Sequence, residues 1–326
     1  MQAIVCTEYG SPDVLQLMDV EKPVPRDNEL LIRINATSVT SADLRIRKAD
    51  PFLIRLFYGF SRPKPNTILG SELAGEIEAV GRDVSRFKAG DSVFAGAGTS
   101  LGANAEYCCL PEDGAVAIKP ANLSDAEAAA IPFGATTALF FLRDKGRIES
   151  GQQVLIHGAS GALGMAAVQL AKFFGAQVTG VCSTNKVGLV KDLGADNVID
   201  YTKDEFTHSG NTYDIIFDTN GNSLFSGCLR SLKPNGVYLR AVHFSPFPVL
   251  RGLWTSIWSN KRVLGGMAIE RKQDLVFLKT LIEQGHMKPV IDRCYPLGQT
   301  ADAHRYVEQG QKKGHVIITV AHHGSA

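Results

Sequence analysis

The stretch Val154-Leu155-Ile156-His157-Gly158-Ala159-Ser160-Gly161-Ala162-Leu163-Gly164 sets a short apolar run against a glycine-rich turn. Apolar residues then recur at 163, 166, 167, 170, 171 and 174, the spacing of one helix face, and 177–181 reads as a second short strand. Strand, glycine turn, helix and strand in this order imply a βαβ unit whose turn holds a pyrophosphate. Ala159, Gly161 and Gly164 fill the three glycine positions of G-x-G-x-x-G, with Ala at the first. Without a side chain at Gly161, main-chain N–H groups can approach the phosphates, and the helix N-terminus adds free donors and a positive dipole end. Gly164 allows close helix–strand packing. Ser160, Gly161, Ala162 and Leu163 are therefore candidate cofactor contacts.

Outward from this unit the alternation continues. A helix ends near Leu193-Gly194, and strand patterns follow at 197–201, 213–217, 236–242 and 263–266. The fold class this predicts is α/β, with a doubly wound parallel sheet of Rossmann type covered on both faces. Upstream, Ser124 and Glu127 form a capping-box pattern that opens a helix. The first third differs. Residues 31–36 and 72–80 alternate with a period of two, punctuated by Gly70, Gly75, Gly81, Gly90 and Pro111. Short strands and tight turns predict a small barrel-like domain. The tail carries a helix pattern at 274–284 and a strand pattern at 316–320, expected to pack back on that domain. The expected division is 1–124, 125–266 and 267–326.

Composition narrows the function classes. The 326 residues suit two domains, and 44% hydrophobic with 21% charged residues is ordinary for a globular chain with a buried core. Lys+Arg 34 against Asp+Glu 33 leaves a net charge of +1 and no basic run, so neither nucleic acid nor an anionic membrane is an expected partner. No stretch approaches the roughly 18 apolar residues of a spanning helix, and Met1-Gln2-Ala3-Ile4-Val5 lacks signal-peptide character. A cytoplasmic location is the expectation. The six cysteines form no Cys-x-x-Cys pair and are expected to be buried free thiols. Residues 321–326 are expected to be a loose tail.

Ser183, Thr184, Asn185 and Lys186 follow the second strand, where NAD enzymes place an acidic residue. Two hydroxyls, an amide and a cation suit a 2′-phosphate, so NADPH is the expected cofactor. Tyr201, after the third strand, is a candidate for the adenosine side.

These residues in this order resemble the medium-chain dehydrogenase/reductase superfamily and, within it, the zinc-free quinone-oxidoreductase (zeta-crystallin-like) branch. The resemblance spans Met1 to Gly10, Ser38-Val39-Thr40-Ser41-Ala42-Asp43, Leu69 to Gly75, Ala105-Glu106-Tyr107, the block from Val154 to Lys172, and Gly314-His315-Val316-Ile317-Ile318. It implies a GroES-like β-barrel catalytic domain completed by the C-terminal segment, a Rossmann domain between them, an active site in their cleft, and a homodimer. Zinc-containing relatives carry Cys where Thr40 stands, His where Ser71 stands, and four cysteines after Gly81; residues 82–107 contain none. No metal is expected.

The activity implied is NADPH-dependent hydride transfer to a quinone or enone, whose conjugation spreads the incoming charge without a metal. Alternatives of other classes are an NADP-dependent alcohol or aldehyde dehydrogenase and an NADPH-binding structural or regulatory protein. By the resemblance, Thr40 and Arg45 are the candidate catalytic donors and Asp43 an architectural acceptor. Thr136, Asn220, His243 and Phe244 are candidate cofactor contacts. Phe52, Phe57 and Tyr58 belong to an aromatic-rich segment expected to cover the substrate mouth.

Overall fold

Strands β1 (Gln2–Cys6) and β2 (Leu15–Asp19) pair antiparallel ahead of the ten-residue β3 (Glu29–Ser38). The computed structural model describes residues 1–241 and 260–322. β3 buries Leu30, Ile32, Ile34 and Ala36 and turns Arg33 and Asn35 outward, as its alternation predicts. One edge of β3 pairs with β4 (Glu72–Val80), which continues to β5 (Ser92–Gly96). β6 (Tyr107–Pro111) pairs with the N-terminal half of its other edge, and β7 (Val116–Ile118) extends the sheet beyond β5. Helices α1 (Ser41–Lys48) and α2 (Arg55–Tyr58) leave the end of β3. After β7 come α3 (Asp125–Ala128) and α4 (Pro132–Leu139). Ser124 and Glu127 close the expected capping box at α3.

The chain then forms a second sheet from β8 (Gln153–His157), β9 (Gln177–Cys182), β10 (Asn197–Asp200), β11 (Tyr213–Asp218), β12 (Leu232–Arg240) and β13 (Arg262–Gly265). Their order is β10-β9-β8-β11-β12-β13 and every pairing is parallel. This is the doubly wound order, reversing direction between β8 and β11. Helices α5 (Ala162–Phe173), α6 (Val187–Asp192) and α7 (Phe225–Arg230) lie on the crossovers. Residues 134–269 make up this unit; 1–133 and 270–326 make up the other. The divisions fall later along the chain than the changes of texture at 124 and 266.

The returning segment contributes α8 (Lys272–Glu283), β14 (Ile291–Pro296), α9 (Thr300–Glu308) and β15 (His315–Thr319). β15 completes the seven-stranded sheet against Ala36–Ser38 of β3, with β14 beside it. Ile4, Leu30, Ile32, Leu73, Ile77, Val93, Val316 and Ile318 share its core, so the tail does pack on the first domain. Two expectations fail in detail. Cys294 is exposed and Cys109 only half-buried, because both stand on the outward face of their strands. His322 is not loose: its Nε2 donates to the Ile34 carbonyl at 2.9 Å and its ring lies against Tyr107.

Arg47 of α1 holds the return in place. Its guanidinium, 0% exposed, donates to the Gly10 carbonyl, to Glu308 and, at 3.3 Å, to His304 Nδ1. Burial and the neighbouring guanidinium push His304 down to about 3, so it stays neutral and can accept. Arg47→Ala leaves these acceptors unmet and a cavity behind. We expect a loss of about 3 kcal/mol in urea unfolding; a change below about 1 kcal/mol would contradict this role.

Candidate functional site

In a doubly wound sheet, ligands bind beyond the carboxyl ends of the strands where the order reverses. Here those ends are His157 of β8 and Asp218 of β11. Three glycines shape the turn after His157, each for a different reason. Gly158 has φ +82°, and a Cβ there would lie 2.6 Å from Thr219 Oγ1 and 3.0 Å from Asn220 Nδ2. At Gly164 a Cβ would lie 2.1 Å from the Gly158 carbonyl oxygen, so only glycine lets α5 close against β8. Gly161 has φ −80° and ψ 165°, open to any residue, and the nearest protein atom to an added Cβ is 3.5 Å away. Neither backbone nor packing demands glycine at 161. It stands at the start of α5, where no side chain caps the helix. Ser160, Ala162 and Leu163 stand beside it, at the junction of turn and helix.

The β11 end is organised around Asp218, which is fully buried. It accepts from the main-chain N–H of Gly221 at 2.8 Å, from Ser223 and from Tyr238 Oη at 3.2 Å. Burial opposes its ionisation, but donation from His157, Ser223 and Gly221 outweighs this and brings it down to about 2. Asn220 Oδ1 accepts from Asn222 N–H at 3.1 Å and faces His157 Nδ1 at 3.2 Å, which turns its amide nitrogen toward Gly158. Thr136 is buried on α4, whose Gly134 approaches Ala162 of the phosphate turn. His243 and Phe244 lie outside the described residues.

At the β9 tip, Ser183 Oγ donates to Asn185 Oδ1 at 2.8 Å, and Thr184 Oγ1 donates to Asp200 Oδ2 at 2.6 Å. Lys186 stands at the start of α6, and Tyr201 is exposed just past β10. Asp200 did not figure in the sequence reading. Parallel pairing sets it opposite Cys182 and brings its carboxylate to Thr184, a neighbourhood that only strand register reveals.

In the first unit, Thr40 is the N-cap of α1 and forms a capping box with Asp43. Thr40 Oγ1 lies 2.7 Å from Asp43 Oδ2 and 2.9 Å from Ser71 Oγ. Asp43 Oδ1 accepts from the Gly70 N–H at 3.1 Å and from Ser71 at 3.2 Å. The two positions where zinc relatives carry Cys and His thus belong to a hydroxyl–carboxylate cluster, and Asp43 is its acceptor. Among the described residues no group of three or more His, Cys, Asp or Glu is placed to hold a metal ion. Arg45 lies on the same helix, half-buried, with Asp50 as its charged neighbour. Phe52 and Phe57 are exposed, whereas Tyr58 packs on the core and its hydroxyl donates to the Thr99 carbonyl at 3.2 Å.

Beside this cluster Glu72 is buried, accepting from Ser38 and, at 2.7 Å, from the Phe133 N–H. Burial pushes its carboxyl up to about 8, with Glu270 and Asp43 adding repulsion. Glu270, whose carboxylate presses on Gly96, is itself raised to about 7 by burial. In the unfolded chain both ionise near 4.5. The folded state therefore holds protons the unfolded state has released, and stability should fall as pH rises from about 4.5 toward 8. Glu72→Gln should flatten that decline in urea midpoints taken across this range; an unchanged slope would contradict the assignment.

A family model described as the alcohol dehydrogenase GroES-like domain matches residues 26–120, and one described as zinc-binding dehydrogenase matches 193–318. The chain is 31% identical to the chloroplast envelope quinone oxidoreductase homolog of Arabidopsis thaliana, over 98% of both chains. It is 34% identical to a quinone oxidoreductase of Sus scrofa, over 93% of both. Among solved structures, the quinone oxidoreductase from Coxiella burnetii superposes with a TM-score of 0.89 at 27% identity, covering 98% of this chain and 99% of the other. With two matching family models, full-length relatives and a doubly wound sheet bearing the phosphate turn, the chain belongs to the medium-chain dehydrogenase/reductase superfamily, in its quinone-oxidoreductase branch.

Proposed function

We propose that this protein is an NADPH-dependent reductase that delivers hydride to quinones or α,β-unsaturated carbonyl compounds and does so without a metal ion. The observation that carries the reading is Gly161, a glycine that the protein's own backbone and packing do not require, at an uncapped helix start. The relatives agree in kind: besides the quinone oxidoreductases, one is named an NADPH-dependent alkenal/one oxidoreductase, from Arabidopsis thaliana, at 30% identity. When bound, the nicotinamide supplies the hydride. The turn at 158–164 grips the diphosphate, Asn220 offers its amide toward that turn, and Lys186 supplies the cation that favours a 2′-phosphate.

The metal-free reading is supported by Thr40 and Ser71, neither of which makes a strong zinc ligand. A conjugated acceptor needs hydrogen bonds at its developing oxyanion rather than a Lewis acid. Arg45 is our candidate for that contact. The Thr40 hydroxyl, already engaged by Asp43 and Ser71, is assigned to holding the start of α1 beside it. The exposed rings of Phe52 and Phe57 favour apolar acceptors, with Tyr58 as their anchor. Assembly as a homodimer and a cytoplasmic location complete the proposal.

Gly161→Val should weaken NADPH binding at least about tenfold in Kd by calorimetry, while moving Tm by less than about 3 °C. Binding that survives this substitution would overturn the site. NADPH oxidation should proceed with quinones or enones and persist with chelator present; turnover restricted to simple aldehydes, or lost to chelation, would overturn the reaction class. Phe57→Ser should raise KM for apolar quinones several-fold with kcat little changed, and an equal KM would remove the aromatic segment from the substrate site.

A further inference from the structure

We propose that Asp200 is the residue that limits this site's discrimination between NADPH and NADH, acting against Lys186. The inference rests on the dinucleotide site proposed above. The register of β9 and β10 puts Asp200 opposite Cys182, the last residue before the 183–186 tip. Its Oδ2 accepts from Thr184 Oγ1 at 2.6 Å, and its Oδ1 accepts from Thr202 N–H at 3.1 Å and Thr202 Oγ1 at 2.7 Å. These bonds fix the carboxylate in place, with its side chain 12% exposed and Lys203 Nζ 3.7 Å away. Donation from Thr184 above all holds it below the ordinary carboxylate range, so it carries its charge at neutral pH.

Two consequences follow for a ligand at the tip. The Thr184 hydroxyl proton goes to Asp200 and the Ser183 proton to Asn185, so neither hydroxyl as arranged donates outward. Of the polar set at 183–186, Lys186 then supplies the charge that attracts a 2′-phosphate, beside the amide of Asn185, whose oxygen accepts from Ser183. Asp200 meanwhile places a negative charge against that phosphate, whereas a free ribose 2′-hydroxyl brings no charge and is unaffected or welcomed as a donor. Among the described residues, the charged groups at this corner are Lys186, Asp200 and Lys203, and the preference for NADPH is the difference between their opposing effects.

The test is calorimetric Kd for NADPH and for NADH with the wild type, Asp200→Asn and Lys186→Ala, each with its Tm. Asparagine keeps the shape and an acceptor for Thr184 while removing the charge. Asp200→Asn should tighten NADPH about fivefold and leave NADH within about twofold, with the gain shrinking at high salt. Lys186→Ala should move the NADPH:NADH ratio the other way. A ratio unchanged in Asp200→Asn, or both coenzymes shifting together with Tm, would mean that Asp200 only braces the loop, and would overturn the proposal. If the wild type binds neither coenzyme, the site itself is wrong and the proposal falls with it. Normal coenzyme binding with an unmoved ratio sinks the Asp200 assignment alone.

Discussion

One close approach governs the nucleotide-binding unit: Gly164 of α5 against the Gly158 carbonyl oxygen at the end of β8. No side chain fits between them. This lets the helix start directly over the strand end and aims its unpaired N–H groups at the point where the sheet reverses order. Thr219 ties in the neighbouring strand, its hydroxyl donating to the His157 carbonyl at 2.8 Å. From there the Asp218 network holds the 219–223 loop, and Asn220 faces the glycine turn. The glycine spacing in sequence, the strand order and the loop's polar contacts are thus one arrangement.

The other unit is organised by how it accommodates buried charge. Its interior holds Asp43, Glu72 and Arg47, none of them exposed. Each is tolerated by saturation with partners or by retaining a proton. Asp43 takes the hydroxyls and amides of Thr40, Gly70 and Ser71; Arg47 takes a carbonyl, an imidazole and a carboxylate. Glu72, with fewer donors, stays protonated to a higher pH. The corner occupied by metal ligands in zinc relatives is here a hydrogen-bond cluster of Thr40, Asp43, Gly70 and Ser71 at the start of α1.

Much of this was legible in the chain. The βαβ signal around 154–181, the Ser124–Glu127 capping box, the alternation of β3 and the helix and strand of the tail were readable because each is written in local spacing. What escaped was written in register and tertiary contact. Asp200 lies well beyond Thr184 in sequence and meets it only because β10 pairs with β9. Arg47 is buried by contacts with His304 and Glu308 of α9, far along the chain, which no local spacing announces. Thr40 looked like an open hydroxyl, since a capping bond to Asp43 can be suspected from spacing but the contact with Ser71 cannot. Cys294 was misjudged because a thiol's burial depends on which face of an edge strand it occupies.

Main-chain amides at the β8–α5 turn are the proposed grip on the dinucleotide. Amide-resolved NMR during titration with NADPH tests it most directly. The account predicts saturable shifts of the Gly161, Ala162 and Leu163 N–H resonances, larger than those elsewhere in α5. A saturating titration that leaves these three amides where they began would contradict it.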